Sequence, residues 1–286
     1  MKNLSAIKKI SACFVSACAA LSAFALAACG GNGEQRPVEK SGVAVCNAID
    51  GIEKTEYVFC VSRKAENAQT YLNAINAVIA STDVNDLIKR YLELDSFYMK
   101  YFLDELTIEY KTGEALNIYT GICSPYQFSG AFGSSVDGVD MYLLVKACNN
   151  LQMKPVFNDW GYQPSYNAVK NGTGDIFASA VAKTDAVSAD FYISNTYSTG
   201  YQQIVSDKNE AFTSISQLKG KKIGVIEGRP GQTIIDKALN SGELKDSGAE
   251  LVVYDTDAEA YADYKVQGCD VIVADEYSAK AMLKSR

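Results

Sequence analysis

An alternation of apolar strands with amphipathic helices from residue 116 onward limits the folds open to this chain more than any other feature. Segments with strand-like and helix-like spacing of apolar residues follow one another at 116–122, 139–151, 154–158, 164–170 and 175–181. Because each helix carries the chain from one strand to the next, the pattern predicts a mostly parallel sheet with helices packed on it.

A second unit of the same kind follows. Its strand-like and helix-like segments lie at 221–226, 232–239, 250–254, 257–266 and 270–274. Residues 195–200, which are polar and turn-rich, lie between the two units and resemble a crossover. The sequence therefore predicts an α/β protein of two lobes, and 48% apolar residues suffice for both cores.

The part of the chain before residue 116 differs in pattern. Residues 57–62 alternate as a strand does, and residues 67–80 have the apolar spacing of a helix. Residues 81–83, Ser-Thr-Asp, are typical of a helix N-terminus, which predicts a further helix to about residue 94.

The first 28 residues have the order of a secretory signal: Lys2, Lys8 and Lys9 precede a short apolar run rich in Ala and Ser. The tetrad 26–29, Leu-Ala-Ala-Cys, resembles the bacterial lipobox, which implies a lipid on Cys29 and a location outside the cytoplasm, anchored to the cell membrane. The Gly-rich residues that follow fit a tether. Ordinary signal cleavage beside an incidental cysteine is the alternative.

Charge and composition exclude several classes of function. Removing residues 1–28 takes three of the 27 basic residues and none of the 34 acidic ones, so the formal charge changes from −7 to −10. An acidic chain is a poor partner for nucleic acid. The chain has no histidine, which excludes histidine-dependent catalysis, and we expect neither a metal nor another cofactor.

Five cysteines would remain in the lipid-anchored chain besides Cys29. They are Cys46, Cys60, Cys123, Cys148 and Cys269. No CxxC spacing occurs among them, so a zinc motif or a disulfide-exchange motif is unsupported. Buried thiols are predicted, and one disulfide is left open.

Five segments resemble, in order and spacing, the motifs of one family. They are Ser-Pro-Tyr-Gln-Phe at 124–128, Asp-Gly-Val-Asp at 137–140, Asn-Asp-Trp at 158–160, Phe-Thr-Ser-Ile-Ser-Gln-Leu-Lys-Gly-Lys-Lys-Ile-Gly at 212–224 and Asp-Val-Ile-Val-Ala-Asp-Glu at 270–276. The family is that of the extracytoplasmic solute-binding proteins of ABC importers, in its polar amino-acid branch. The resemblance implies a type II periplasmic-binding-protein-like α/β fold, a monomer, and ABC permease subunits as partners.

The order of the segments departs from the family's. Family members continue after the last motif with a strand and two helices that return to the first lobe, and residues 57–94 resemble that closing part. We therefore predict a circular permutation. The predicted division is a signal peptide at 1–28, a tether at 29–42, a displaced C-terminal segment with connector at 43–115, lobe 1 at 116–198 and lobe 2 at 199–286. The alternative is that residues 40–115 form an unrelated helical extension on a truncated lobe.

The resemblance also implies a ligand cleft at the carboxyl ends of the strands. Asp275 stands where the family's aspartate meets a ligand ammonium, but Val187 stands where the family has a carboxylate-binding arginine. Arg229, with N–H groups at the start of its helix, is the candidate replacement. The predicted ligand-binding residues are Tyr126, Trp160, Ser179, Ala180, Lys183, Thr184, Arg229, Gly231, Gln232, Thr233 and Asp275.

The function predicted from these residues is capture of a small polar solute, an amino acid or an amino-acid-like anion, for an ABC importer. A ligand sensor without transport is one alternative. A dehydratase-type enzyme on the same fold is another, in which carboxylates such as Glu227, Asp275 or Glu276 would carry the proton transfers.

Overall fold

The computed structural model describes residue 40 and residues 42–93, 113–128 and 137–284. All of them belong to one compact unit, Pro37–Arg286. Cys29, the predicted signal peptide and most of the predicted tether and connector lie outside the described residues. None of the described helices is long and apolar enough to cross a membrane.

The described elements alternate as predicted for an α/β protein. The strands are β1 (Ala44–Ala48), β2 (Thr55–Ser62), β3 (Ala115–Thr120), β4 (Lys154–Asp159), β5 (Ile176–Ala182), β6 (Phe191–Ile193), β7 (Ser198–Gly200), β8 (Gln202–Asp207), β9 (Lys222–Ile226), β10 (Glu250–Tyr254) and β11 (Val271–Asp275). The helices are α1 (Ala68–Ser81), α2 (Val84–Glu93), α3 (Val139–Leu151), α4 (Tyr162–Lys170), α5 (Asp185–Asp190), α6 (Pro230–Ser241), α7 (Asp257–Lys265) and α8 (Glu276–Lys284).

The first lobe is built on a sheet with the strand order β4-β3-β5-β2-β6, with β7 paired to β2. β3 is parallel to β4 and β5, whereas β2 runs antiparallel to β5, with Tyr57 opposite Ala182. Residues 57–61 are at most 1% exposed on both faces of the sheet, as a central strand requires. The front part of the chain thus supplies a central strand of this sheet.

Helices α1 and α2 cover one face of the same sheet. Tyr71, Ile75 and Val78 recur at helical spacing on one face of α1 and are buried in the core that also contains Leu116 and Ile118 of β3. The α1 face therefore packs where a parallel sheet needs a covering helix layer.

The second lobe is built on a sheet with the order β1-β8-β11-β9-β10. β9 is parallel to β10 and β11, and β8 is antiparallel to β11. The edge strand β1 pairs antiparallel with β8, with Ala44 opposite Asp207, although residues 43–115 were predicted to belong to the first lobe. The predicted boundary between the lobes, at 198/199, falls within β7, which pairs with β2 of the first lobe.

The chain passes between the two sheets twice. One passage is at 49–54, between β1 and β2, and the other is at Tyr201, between β7 and β8. Gly51 has φ 75, a left-handed conformation that glycine adopts without steric cost. These two short connections are the places about which the lobes can turn.

Candidate functional site

A small buried cavity lies where the carboxyl ends of the strands of the two sheets face each other. Its lining residues are Tyr57, Cys123 and Ala180 of the first lobe and Ile226, Arg229, Pro230, Asp257, Val273, Ala274, Asp275 and Ser278 of the second. The space has room for about one water molecule. The lobes are therefore in a closed arrangement around three charged side chains.

Arg229 bridges the two lobes. It precedes Pro230 at the start of α6, and its side chain is 8% exposed. Nη1 donates to the main-chain oxygens of Ser179 and Ala180, the latter at 3.4 Å, and Nη2 donates to the oxygen of Ile122 at 3.3 Å and to Ser179 Oγ at 2.8 Å. The guanidinium carbon lies 4.7 Å from the centre of the Tyr162 ring. Within the described chain, Nε has no hydrogen-bond partner.

Asp275 ends β11 and caps α8. Its Oδ1 accepts the main-chain N–H groups of Tyr277 at 2.9 Å and Ser278 at 3.3 Å, and its Oδ2 accepts the hydroxyl of Tyr57. Burial raises the pKa of this carboxyl, and the three hydrogen bonds act against that rise. Asp275 thus has a structural role as a helix cap, and it also lines the cavity.

Asp257 is a cavity residue that the sequence did not single out. It begins α7, is 7% exposed, and its Oδ2 finds no partner in the described part of the chain. Burial raises its pKa to about 7, with the Arg229 charge lowering it and the Asp275 charge raising it further. An acidic residue in the first turn of a helix is common, so the sequence gives no signal that this one is buried.

Asp140, in the first turn of α3, supports the cavity from behind. Its Oδ2 accepts the N–H of Ala180 at 3.0 Å, and Ala180 has a left-handed φ of 45. Burial raises the pKa of Asp140 to about 7. The carboxylate therefore holds the end of β5 in the conformation that presents the Ser179 and Ala180 oxygens to Arg229.

Tyr126 and Trp160 do not line the cavity. Tyr126 is fully buried in the core, where its ring lies 5.5 Å from that of Tyr57 and its hydroxyl lies 3.1 Å from Ser198 Oγ. Trp160 is 54% exposed, with its ring edge-on to Tyr119. Tyr126 thus packs in the core behind Tyr57, and Trp160 lies at the surface.

Three further predicted residues line a larger, open groove to which both lobes also contribute. Lys183, Thr184 and Thr233 face it together with Tyr162 and Val187. Lys183 Nζ is 2.8 Å from Glu56 Oε2 in an exposed ion pair, which explains why it does not turn toward the cavity. Thr184 caps α5 by accepting the N–H of Val187 at 3.2 Å.

Gln232 and Gly231 have local roles at the start of α6. Gln232 Oε1 accepts the N–H of Gly228 at 2.8 Å. Gly231 packs so closely on β11 that a Cβ there would lie 2.7 Å from the Val273 oxygen. Of the predicted residues, the structure thus brings Arg229, Ser179, Ala180 and Asp275 together.

The five cysteines of the described chain are free thiols. Cys123 lies in the cavity wall, with Sγ 3.4 Å from Ser278 Oγ, and burial raises its pKa to about 12. A thiol with a raised pKa is a poor nucleophile at neutral pH, so Cys123 acts as an apolar wall group.

No family model and no curated protein matches the chain. Several solved structures, however, are similar to this chain. An ancestral arginine-binding protein bound to arginine is 25% identical, with a TM-score of 0.56 over 61% of this chain and 75% of that one. The arginine-bound form of a truncated ArgBP from T. maritima is 21% identical, with a TM-score of 0.53 over 59% of this chain and 77% of that one. An ancestral amino-acid-binding protein, a precursor of cyclohexadienyl dehydratase, is 21% identical, with a TM-score of 0.50 over 62% of this chain and 73% of that one.

These likenesses establish a type II periplasmic-binding-protein fold, as predicted from the sequence motifs. The similar structures named are amino-acid-binding proteins, and one is a precursor of an enzyme.

Proposed function

We propose that the protein is the lipid-anchored solute-binding component of an ABC importer and captures a small amino-acid-like solute between its lobes. The observation that carries the proposal is the buried charged cavity, to which both lobes contribute: Arg229, Asp257 and Asp275 from the second, and the Ser179 and Ala180 oxygens from the first. Structures similar to this chain bind arginine or glutamine, which supports the same class of solute.

Capture follows from the position of the cavity between the lobes. A solute that contacts both lobes binds the closed form more tightly than the open form, and so it shifts the population toward closure. Because the cavity has room for about one water molecule, the lobes must part before a solute enters. The closed, loaded form is then the one that a permease would accept.

The charges favour a solute with a cationic group. Two buried carboxylates, Asp257 and Asp275, line the cavity, and no donor among the described residues is hydrogen-bonded to Asp257 Oδ2. A buried acceptor of this kind is stabilised by an ammonium or guanidinium donor. The apolar Val187 stands where the family has its carboxylate-binding arginine, so recognition of a solute carboxylate is weakened and the cationic group is the feature that we expect to select the solute.

A thermal-shift screen against amino acids and amines tests the proposal. A binding solute at a hundred times its Kd is expected to stabilise the protein by about 2.7 kcal/mol, because it binds only the folded state. Asp257→Asn should abolish the largest shift, since a neutral amide cannot form an ion pair with the cationic group of the solute. The matched control is Asp255→Asn, which changes an exposed carboxylate two residues away. Equal responses of the two variants, or a screen without any shift, would contradict the proposal.

The lipid anchor is tested separately. When the full chain is expressed in a bacterium, we expect it in the membrane fraction, with a mass increase on the peptide that begins at Cys29. Cys29→Ser should abolish the membrane localisation and the mass increase, because the sulfur of Cys29 is the atom that carries the lipid. Recovery of the serine variant in the membrane fraction, to the same extent as the parent chain, would refute anchoring at this residue.

A further inference from the structure

Arg229 directs its hydrogen bonds across the interface and away from its own lobe. The four acceptors are the main-chain oxygens of Ile122, Ser179 and Ala180 and the Ser179 hydroxyl, all in the first lobe. We call these four oxygens, with the Tyr162 ring beside them, the carbonyl cage. Within the described chain, Arg229 forms no ion pair, although Asp257 and Asp275 line the same cavity.

The carbonyl cage has the chemistry of a guanidinium receptor. The guanidinium of arginine is a planar cation with five N–H donors and no acceptor, so it needs several oxygens in a fixed arrangement and gains from an aromatic face. The carbonyl cage supplies the oxygens and the aromatic ring, all from the first lobe. A buried cation without such partners would be strongly destabilising, so the cage oxygens of the first lobe stabilise the buried guanidinium only while the lobes are together.

Both halves of this contact are held firmly within their own lobes. Arg229 stands directly before Pro230 and the tightly packed Gly231, which fix the start of α6 on β11. On the other side, Asp140 holds Ala180 in its left-handed conformation. The contact is therefore broken mainly by turning one lobe against the other.

We propose that the carbonyl cage is a guanidinium-binding site, which Arg229 fills from the second lobe. Arg229 thereby acts as a tethered ligand that closes the lobes in the absence of solute. A solute that carries a guanidinium group competes with it for the same oxygens. The proposal does not depend on transport, and it concerns the protein before any solute is bound.

Small-angle X-ray scattering of the solute-free protein tests the closure. The parent protein should have the radius of gyration of the closed form, and Arg229→Ala should have a larger one, because the bridge between the lobes is gone. Arg63→Ala is the matched control: Arg63 is exposed, bonds the Ser188 oxygen within the first lobe, and should leave the radius unchanged. Circular dichroism verifies folding, and Arg229→Gln is measured in the same way if the alanine variant does not fold.

Chemical rescue tests the cage itself. Guanidinium chloride at low, non-denaturing concentration should return the Arg229→Ala protein to the compact radius by filling the empty cage, whereas sodium chloride at equal ionic strength should not. An Arg229 variant as compact as the parent would overturn the proposal, as would an equal response to the two salts. The scattering is recorded without solute, so a negative solute screen would contradict the proposed function and leave this inference standing.

Discussion

Removing residues 43–93 is expected to unfold the first lobe. The deletion takes away β2, the central strand between β5 and β6, and with it Tyr57, Phe59 and Val61 of the main core. Full burial of one large apolar side chain contributes about 1.5–3 kcal/mol, so the strand and two helices together exceed the 5–15 kcal/mol that stabilise an ordinary domain. Denaturant unfolding followed by circular dichroism should show the loss of the cooperative transition.

Placing the same residues after Lys284 should restore the fold. β1 lies beside α8, and Ala44 and Cys46 pack against the core cluster that contains Met282, so a short flexible linker can join the two. The rearranged chain would begin at Gly113, directly before β3. Recovery of the parent's unfolding transition would support the circular permutation that we propose. A deletion variant as stable as the parent would support an unrelated extension instead.

The elements with strong periodicity could be predicted from the sequence. The strand expected at 57–62 is Thr55–Ser62 in the structure, and the helices expected at 67–80 and 83–94 are Ala68–Ser81 and Val84–Glu93. β1 could not be predicted, because Ala44–Ala48 is a short, half-exposed edge strand whose partner, β8, begins only at Gln202. No local sequence pattern indicates that two segments so far apart in the chain will pair.

The candidate site could be predicted only in part for a similar reason. Arg229 was identifiable because the sequence from 116 to 285 has no other arginine. The hydrogen-bond partners of Arg229 are mainly main-chain oxygens. Every residue has one, so the amino-acid types in the sequence do not indicate which of them contact Arg229. Asp257 resembles an ordinary first-turn acid beside the capping box of Thr256 and Glu259. Its burial becomes evident only in the folded structure, where Ser124 of the first lobe and Arg229 of the second lie near it.

Raising the pH from about 5 to about 8 is expected to lower the free energy of unfolding. The pKa values of Asp140 and Asp257 are raised from 3.8 to about 7 in the folded protein, mainly by burial. Between these values the folded state holds protons that the unfolded state has released, so stability falls as pH rises and levels off above the folded pKa. Each pKa unit corresponds to about 1.4 kcal/mol, so the two groups together should give an effect of several kcal/mol.

Variants can separate the pH dependence caused by Asp140 and Asp257 from that caused by ionisable groups at the protein surface. Asp257→Asn and Asp140→Asn each replace a carboxyl that titrates near pH 7 by an amide that does not titrate, and each should flatten the pH dependence measured by urea denaturation. The charges that face Asp257 are Arg229, which lowers its pKa, and Asp275, which raises it. The control Asp255→Asn, at an exposed site, should leave the slope of stability against pH unchanged. A free energy of unfolding that rises between pH 5 and 8 would contradict the burial of the two acids.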